Sequence, residues 1–196
     1  MNRAFFLDRD GTLNEAVYRF EPEYDRPMDC APIEVQDFKI NPGAKELVDY
    51  IKSRGFIPIV VTNQTDFIKK NIPLVNYEEI THELCRALDL ERGQVFECLH
   101  KPGFSLECLC RKPKPGLFLM AKGIYDLDLP NSWMLGDSGT DISAAKNAGV
   151  KNTIYLKRKK LEGLQEGNEE DFKKMQEKAW FPEHYIDSLN EVRRLL

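Results

Sequence analysis

The sequence has no apolar run long enough to cross a membrane, and its mean hydropathy is −0.48. It also has no excess of basic residues, because 28 Lys and Arg stand against 32 Asp and Glu and give a formal net charge of −4. Domains that bind nucleic acids usually carry a basic footprint. We therefore expect no membrane-spanning segment and no nucleic-acid partner.

A secretory signal pattern is missing as well, since Met1-Asn2-Arg3 leads directly into a short apolar run. We therefore expect a cytoplasmic protein whose five cysteines stay reduced. No linker composition and no internal repeat interrupts the chain. A length of 196 residues suits one ordinary domain, so we expect a single domain over residues 1–196 that acts as a monomer.

Short apolar runs alternate with helical patterns along the chain. The runs that predict strands are Ala4–Leu7, Ile57–Thr62, Val95–Cys98, Trp133–Leu135 and Asn152–Leu156, and the patterns that predict helices are Ala44–Arg54, Tyr77–Leu90, Gly116–Tyr125 and Asp141–Ala148. This alternation predicts an α/β fold with a parallel sheet between two layers of helices. The highly charged segment Glu162–Lys178 predicts an exposed helix. The spacers are too short for a large cap domain.

Two carboxylates stand two residues apart directly after the first predicted strand, in the segment Asp8-Arg9-Asp10-Gly11-Thr12. Ligands of open α/β sheets bind at the carboxyl ends of the strands. Side chains alternate along an extended backbone, so Asp8 and Asp10 would point the same way and repel each other unless a cation or a proton intervenes. A Mg²⁺ site with a nucleophile and a proton shuttle fits this pair. A solvated turn after the strand is the alternative.

Three further segments carry polar residues suited to binding phosphate. Thr62 ends the second predicted strand, Arg111 and Lys112 are adjacent cations in a proline-rich loop, and Asp137 and Asp141 follow the fourth predicted strand. Hydroxyl groups, backbone N–H groups and cations can all hold phosphoryl oxygens. Each segment also has a plain structural explanation: a helix N-cap at Thr62, a basic surface turn at Arg111 and Lys112, and an acid in the first helical turn at Asp141.

The order of these four motifs resembles that of the haloacid dehalogenase superfamily, whose members are mostly phosphohydrolases. The resemblance implies a Rossmann-like three-layer sandwich with a minimal cap or none. It also implies that Asp8 attacks phosphorus to form an aspartyl-phosphate, while Asp10 protonates the leaving oxygen and later activates water. Thr62 and Lys112 complete the implied catalytic set. The residues implied to bind the phosphorylated substrate are Thr62, Asn63, Gln64, Arg111 and Lys112.

The same resemblance implies a bound Mg²⁺. Its implied ligands are the carboxylates of Asp8 and Asp137 and the backbone carbonyl of Asp10, while Asp141 supports the metal through water or orients Lys112. Mg²⁺ prefers oxygen ligands and keeps several of its waters, so this small set of protein ligands is sufficient.

A second metal site is predicted by the cysteines. Cys98, His100, Cys108 and Cys110 lie within one short stretch, and three thiolates with one imidazole form a common tetrahedral zinc set. Because protein ligands fill all four positions, we expect this zinc to be structural and to hold the loop that carries Arg111 and Lys112. Of the other cysteines, we expect Cys85 to be buried in a helix and Cys30 to be exposed in a proline-rich loop.

The zinc loop running into Cys-Arg-Lys-Pro resembles one branch of the superfamily, which contains D-glycero-D-manno-heptose 1,7-bisphosphate phosphatases and the histidinol-phosphatase domain. We therefore expect hydrolysis of a sugar phosphate, and of a bisphosphate because Arg111 can bind a second anionic group.

Two segments depart from the pattern of the branch. Glu15–Phe38 is longer than usual. Thr65–Lys70 replaces the usual Ser-Gly-Ile and Arg-Gly, so that Lys69 or Lys70 stands in for the missing arginine. Phosphatases of histidinol phosphate or of nucleic-acid 3′ ends, and a non-catalytic phosphate-binding module, are the alternatives.

Overall fold

The computed structural model describes residues 1–21, 25–100, 108–158, 173, 175, 177–178 and 180–196. The exposed helix predicted over Glu162–Lys178 falls largely outside the described residues. No helix in the described part of the chain has both the length and the apolar character that a membrane span requires.

A six-stranded parallel sheet forms the centre of the fold. The strands in chain order are β1 (Ala4–Leu7), β2 (Val17–Glu21), β3 (Arg26–Cys30), β4 (Ile57–Asn63), β5 (Val95–Cys98), β6 (Trp133–Gly136), β7 (Asn152–Leu156) and β8 (His184–Ile186). The order across the sheet is β5-β4-β1-β6-β7-β8, with every neighbouring pair parallel, whereas β2 and β3 form a separate antiparallel hairpin. The predicted α/β fold with a central parallel sheet is therefore confirmed.

Helices cover both faces of the sheet. They are α1 (Ala44–Ser53), α2 (Asp66–Lys69), α3 (Leu74–Leu88), α4 (Gly116–Tyr125) and α5 (Gly139–Ala148), with 3₁₀ turns at Val35–Asp37, Arg92–Gln94, Leu129–Asn131 and Leu189–Arg194. Alternate residues of β1 pack on opposite faces: Phe5 and Leu7 join α1 and α3 in one core, while Ala4 and Phe6 join α4 and α5 in the other. This arrangement is the expected three-layer sandwich.

The segment before α1 differs most from the sequence-based expectation. Cys30 was expected to lie in a loop and no strand was predicted here, but residues 17–21 and 26–30 pair as a hairpin, with Val17 opposite Cys30 and Glu21 opposite Arg26. The prediction that Cys30 is exposed is wrong, because the residue ends β3 and is only 8% exposed. Cys85, by contrast, is buried in α3 as expected.

Candidate active site

The carboxyl ends of β1, β4 and β6 open onto one cavity of about 720 Å³. Asp8 follows β1, Thr62 and Asn63 end β4, and Asp137 follows β6. Because β1 lies between β4 and β6 in the sheet, these three strand ends are neighbours. The cavity is lined by Asp8, Asp10, Thr62, Asn63, Gln64, Arg111, Lys112, Asp137 and Asp141, so all nine residues expected around the substrate or the Mg²⁺ meet there.

The ammonium of Lys112 is a buried cation among the lining groups of the cavity. Its Nζ lies 2.6 Å from Oδ1 of Asp8 and 2.6 Å from Oδ1 of Asp141, and it donates to the carbonyl of Val61 at 2.8 Å. The pKa of Asp8 is raised to about 7, chiefly by burial and then by the negative charge of Asp141, although Lys112 opposes the shift. Burial by itself lowers the pKa of Lys112, but the charges of Asp141 and Asp8 outweigh it and raise that pKa. The lysine is therefore a fixed cation between two acids.

The carboxylate of Asp10 is held by three side chains. Arg9 donates to both oxygens at 3.1 Å, Asn14 donates to Oδ1 at 3.1 Å, and Gln64 donates to Oδ2 at 2.5 Å. Arg9 is completely buried and also donates to Oε1 of Gln64 at 2.7 Å. Sequence reasoning missed Arg9, because nothing in the motif indicates that its guanidinium turns inward.

The amide of Gln64 is engaged inside the protein. Its Nε2 lies 2.7 Å from Oγ1 of Thr62 as well as contacting Asp10, and the residue is 1% exposed. Gln64 was expected to bind substrate. Although it lines the cavity, its contacts fit better with orienting Thr62 and Asp10.

Arg111 contributes its side chain to the lining of the cavity. Its Nη1 is buried and has no hydrogen-bond partner among the described residues. A buried guanidinium nitrogen without an acceptor costs free energy, so this atom is suited to an anionic group of a ligand.

Asp137 has a neighbour that the sequence did not predict to be functional. The Nε of Arg158, which follows β7, lies 2.5 Å from Oδ2 of Asp137. Because β7 lies beside β6 in the sheet, Arg158 reaches the cavity wall. Gly11 makes room for the pair: its φ is +86°, and a Cβ there would lie 2.3 Å from Oδ2 of Asp137.

The carboxylates of the cavity fit a divalent cation. One oxygen from each of Asp8, Asp137 and Asp141 lies within 4.8 Å of the others, and all three residues are buried. The pKa of Asp141 is raised to about 6, chiefly by burial and also by the charge of Asp137, against the effect of Lys112. Three buried acids close together repel one another, and the all-oxygen donor set is the kind that Mg²⁺ prefers.

The cysteine and histidine side chains form a second cluster beside the cavity. The Sγ atoms of Cys108 and Cys110 are 3.1 Å apart, Cys98 Sγ lies 3.5 Å from Cys108 Sγ, and Nδ1 of His100 lies 3.1 Å from Cys110 Sγ. These four side chains could hold one metal ion, and the donor set of three sulfurs and one imidazole fits zinc. Residues 101–107, which connect the two ligand pairs, lie outside the described residues.

Comparison with known proteins identifies the family. The model of the haloacid dehalogenase-like hydrolases matches residues 3–149, and a second HAD-hydrolase-like model matches residues 109–192. The chain belongs to the haloacid dehalogenase-like hydrolases. The resemblance inferred from the sequence is thereby confirmed.

Its curated relatives include two bacterial phosphatases. The D-glycero-beta-D-manno-heptose-1,7-bisphosphate 7-phosphatase of Helicobacter pylori is 34% identical over 79% of this chain and 84% of its own length. The D-glycero-alpha-D-manno-heptose-1,7-bisphosphate 7-phosphatase of Campylobacter jejuni is 30% identical over 82% of this chain and 86% of its own length. The comparisons thus indicate that the chain is a phosphatase of this superfamily.

A solved structure shows the same fold. The D,D-heptose 1,7-bisphosphate phosphatase of B. bronchiseptica, complexed with magnesium and phosphate, superposes with a TM-score of 0.73 at 24% identity, covering 98% of this chain and 97% of that one. The Rossmann-like arrangement of sheet and helices is therefore shared over nearly the whole length of both proteins.

Proposed function

We propose that the chain removes one phosphate from a D-glycero-D-manno-heptose 1,7-bisphosphate in a Mg²⁺-dependent reaction. The observation that carries the proposal is that the two cations Lys112 and Arg111 differ in their partners. Lys112 is paired with Asp8 and Asp141, while Nη1 of Arg111 is buried without an acceptor among the described residues. A bisphosphate offers one phosphoryl group to each position. The names of the curated relatives support the same substrate.

The reacting phosphoryl group would lie against Asp8. An oxygen of Asp8 attacks phosphorus, the bond from phosphorus to the sugar oxygen breaks, and Asp10 gives its proton to that oxygen. Asp10, then ionised, removes a proton from water, which attacks phosphorus and restores the carboxylate of Asp8. Thr62 and Lys112 bind the oxygens on which charge develops.

The two metals have different tasks in this proposal. Asp8, Asp137 and the Asp10 carbonyl would hold Mg²⁺, which supplies positive charge to the phosphoryl oxygens when bound. Asp141 keeps Lys112 in place through the ion pair at 2.6 Å. Cys98, His100, Cys108 and Cys110 would hold a structural zinc that fixes the loop leading into Arg111.

The second phosphate would lie between Arg111 and Lys69. Of the two lysines considered as substitutes for the missing arginine, Lys70 is paired with Glu21 and lies 3.7 Å from Asp66. Lys69 is exposed at the cavity wall and makes no ion pair with any described carboxylate. Lys69 therefore remains available to bind an anion.

We also propose that the enzyme works as a single-domain monomer in the cytoplasm. The thiols of the cysteine cluster suit a reducing compartment. Light scattering of the purified protein tests the monomer.

The function is tested by phosphate release in the presence of Mg²⁺ or a chelator. The substrates are both anomers of the heptose 1,7-bisphosphate, histidinol phosphate, a 3′-phosphorylated oligonucleotide and 4-nitrophenyl phosphate. We expect the highest kcat/KM for one heptose anomer and loss of turnover on chelation. Preference for histidinol phosphate or the oligonucleotide would replace the proposed substrate, and binding of phosphate without turnover of any compound would indicate a binding module.

A further inference from the structure

The hairpin of β2 and β3 forms one wall of the cavity. Arg19, Glu21 and Cys30 contribute to this wall together with Ala16 and Ala31. The adjoining part of the lining comes from α2 and the residue after it, with Asp66, Lys69 and Lys70, and Lys70 contacts Glu21 directly. The hairpin lies within Glu15–Phe38, the segment that we expect from the sequence to be longer than in the branch this chain resembles. A contact made by this wall can therefore distinguish this chain from its relatives.

Glu21 is the acidic residue on the inner face of the hairpin. Val17, Arg19 and Glu21 are less exposed than Tyr18 and Phe20, as the alternation of a strand facing the domain requires, and the Glu21 side chain is 10% exposed. The ammonium of Lys70 and the thiol of Cys30, at 3.1 Å, both donate to the same oxygen, Oε1. The pKa of Glu21 is lowered by the hydrogen bond from Lys70, so the group is an anion at neutral pH.

Cys30 serves Glu21 as a donor and not as a nucleophile. Burial and the hydrogen bond to Glu21 together raise the pKa of the Cys30 thiol to about 12. The thiol therefore keeps its proton and helps to hold the carboxylate in one orientation.

The second oxygen of Glu21, Oε2, has no hydrogen-bond partner within the described part of the chain. A carboxylate can accept about four hydrogen bonds, so an unused oxygen on a cavity wall retains acceptor capacity. The negative charge of Glu21 repels phosphoryl groups, and these bind to Lys112 and Arg111 instead. What the carboxylate can accept is the O–H group of an uncharged part of the ligand.

We propose that Glu21 is a specificity-determining residue that accepts a hydrogen bond from a hydroxyl group of the substrate, so that the cavity selects a polyhydroxylated skeleton between its two phosphates. The inference rests on the proposed function, because it concerns the sugar of the same substrate. Removing a charged acceptor from a site built to receive a hydroxyl reduces discrimination by roughly 10- to 100-fold.

The experiment measures the preference for a sugar over a plain carbon chain. The probes are heptose 1,7-bisphosphate and hexane-1,6-diol bisphosphate, which carries two phosphates and no hydroxyl group, and the readout is the ratio of their kcat/KM values. The variant is Glu21→Gln, in which the amide oxygen must face the ammonium of Lys70 and the NH₂ group replaces Oε2. We expect this ratio to fall about tenfold or more.

Two control variants separate recognition from simple support of the hairpin. Lys70→Met removes the ion pair but leaves the Glu21 carboxylate, so it should keep most of the sugar preference. Glu34→Gln changes an exposed acid outside the cavity and should keep all of it. Thermal unfolding of each variant checks that the fold is intact.

Each outcome is decisive. An unchanged ratio in Glu21→Gln, an equal loss in Lys70→Met, or equal turnover of the two bisphosphates by the unmodified enzyme would overturn the role of Glu21 and leave the proposed phosphatase standing. Turnover of 4-nitrophenyl phosphate without turnover of any sugar phosphate would instead overturn the proposed function, and the role of Glu21 with it.

Discussion

The side-chain amide of Asn63 makes two hydrogen bonds with the backbone of Lys112. Its Oδ1 accepts from the Lys112 N–H at 3.0 Å, and its Nδ2 donates to the Lys112 carbonyl at 3.2 Å. The end of β4 is thereby joined to a loop that lies 49 residues further along the chain. Asn63 was expected to touch the substrate, but these two bonds give it a task in placing the lysine.

Changing Asn63→Asp should separate these two segments. The carboxylate keeps the acceptor for the Lys112 N–H, but it loses the donor and faces the Lys112 carbonyl with a negative charge. An unsatisfied buried carbonyl costs about 1–3 kcal/mol, so we expect a lower thermal midpoint and a kcat reduced by roughly tenfold or more. Steady-state kinetics measure this. A raised KM with an unchanged kcat would instead support a direct contact with the substrate.

Gly11→Ala should damage the site specifically. A Cβ at this position would lie 2.3 Å from Oδ2 of Asp137, and φ is +86°. Gly55→Ala is the matched control, because Gly55 has φ of +76° and nothing within 4 Å of its Cβ position.

Both glycine variants pay about 1–2 kcal/mol for a side chain in the left-handed region. We expect only Gly11→Ala to weaken Mg²⁺ binding and to lose about 100-fold or more in kcat/KM. Calorimetric titration with Mg²⁺ separates the loss of Mg²⁺ affinity from the general cost of a side chain in the left-handed region. Equal behaviour of the two variants would show that the space beside Asp137 is unimportant.

Loss of the zinc cluster should act on the active site through the loop. In Cys110→Ser we expect less than one equivalent of bound zinc, a lower thermal midpoint and a reduced kcat, because Arg111 and Lys112 follow directly. Cys85→Ser is the control, since Cys85 is a buried cysteine in α3 outside the cluster. Elemental analysis measures the zinc, and a protein without zinc in its unmodified form would contradict the assignment.

Arg111→Gln should distinguish the two phosphates of the substrate. Because Nη1 of Arg111 is buried without an acceptor, we assign it to the phosphate that does not react. Loss of a charged hydrogen bond predicts a KM for the bisphosphate that rises roughly tenfold or more. The kcat/KM for 4-nitrophenyl phosphate, which has one phosphate, should change far less. An equal loss for both substrates would place Arg111 at the reacting group.

The positions of the strands could be predicted from the sequence because each central strand is a short apolar run that ends in polar residues. β1 agrees with its prediction at both ends, and β4 extends only one residue further, to Asn63. The motif residues could be placed together for the same reason, since adjacent parallel strands end at one edge of the sheet.

The remaining features depend on contacts between distant segments. The functional position of Arg158 follows from β7 lying beside β6, and the task of Gln64 follows from Arg9, 55 residues away. The β2–β3 hairpin was missed because proline and acidic residues in this segment favour a loop locally, whereas pairing and contacts such as Glu21 with Lys70 stabilise strands. Local patterns contain none of this information.

The most direct test of the account is whether Asp8 becomes phosphorylated. The measurement uses the unmodified enzyme in a rapid-mixing experiment that samples the first turnover, because Asp10 is needed both to protonate the leaving oxygen and to activate water. After mixing with heptose 1,7-bisphosphate and Mg²⁺, the reaction is quenched with acid, and the peptide that contains Asp8 is examined by mass spectrometry. The account predicts that this peptide gains the mass of one phosphoryl group. The gain should be absent from the same peptide of the Asp8→Asn variant. Phosphate release with no such gain, or turnover retained in Asp8→Asn, would contradict it.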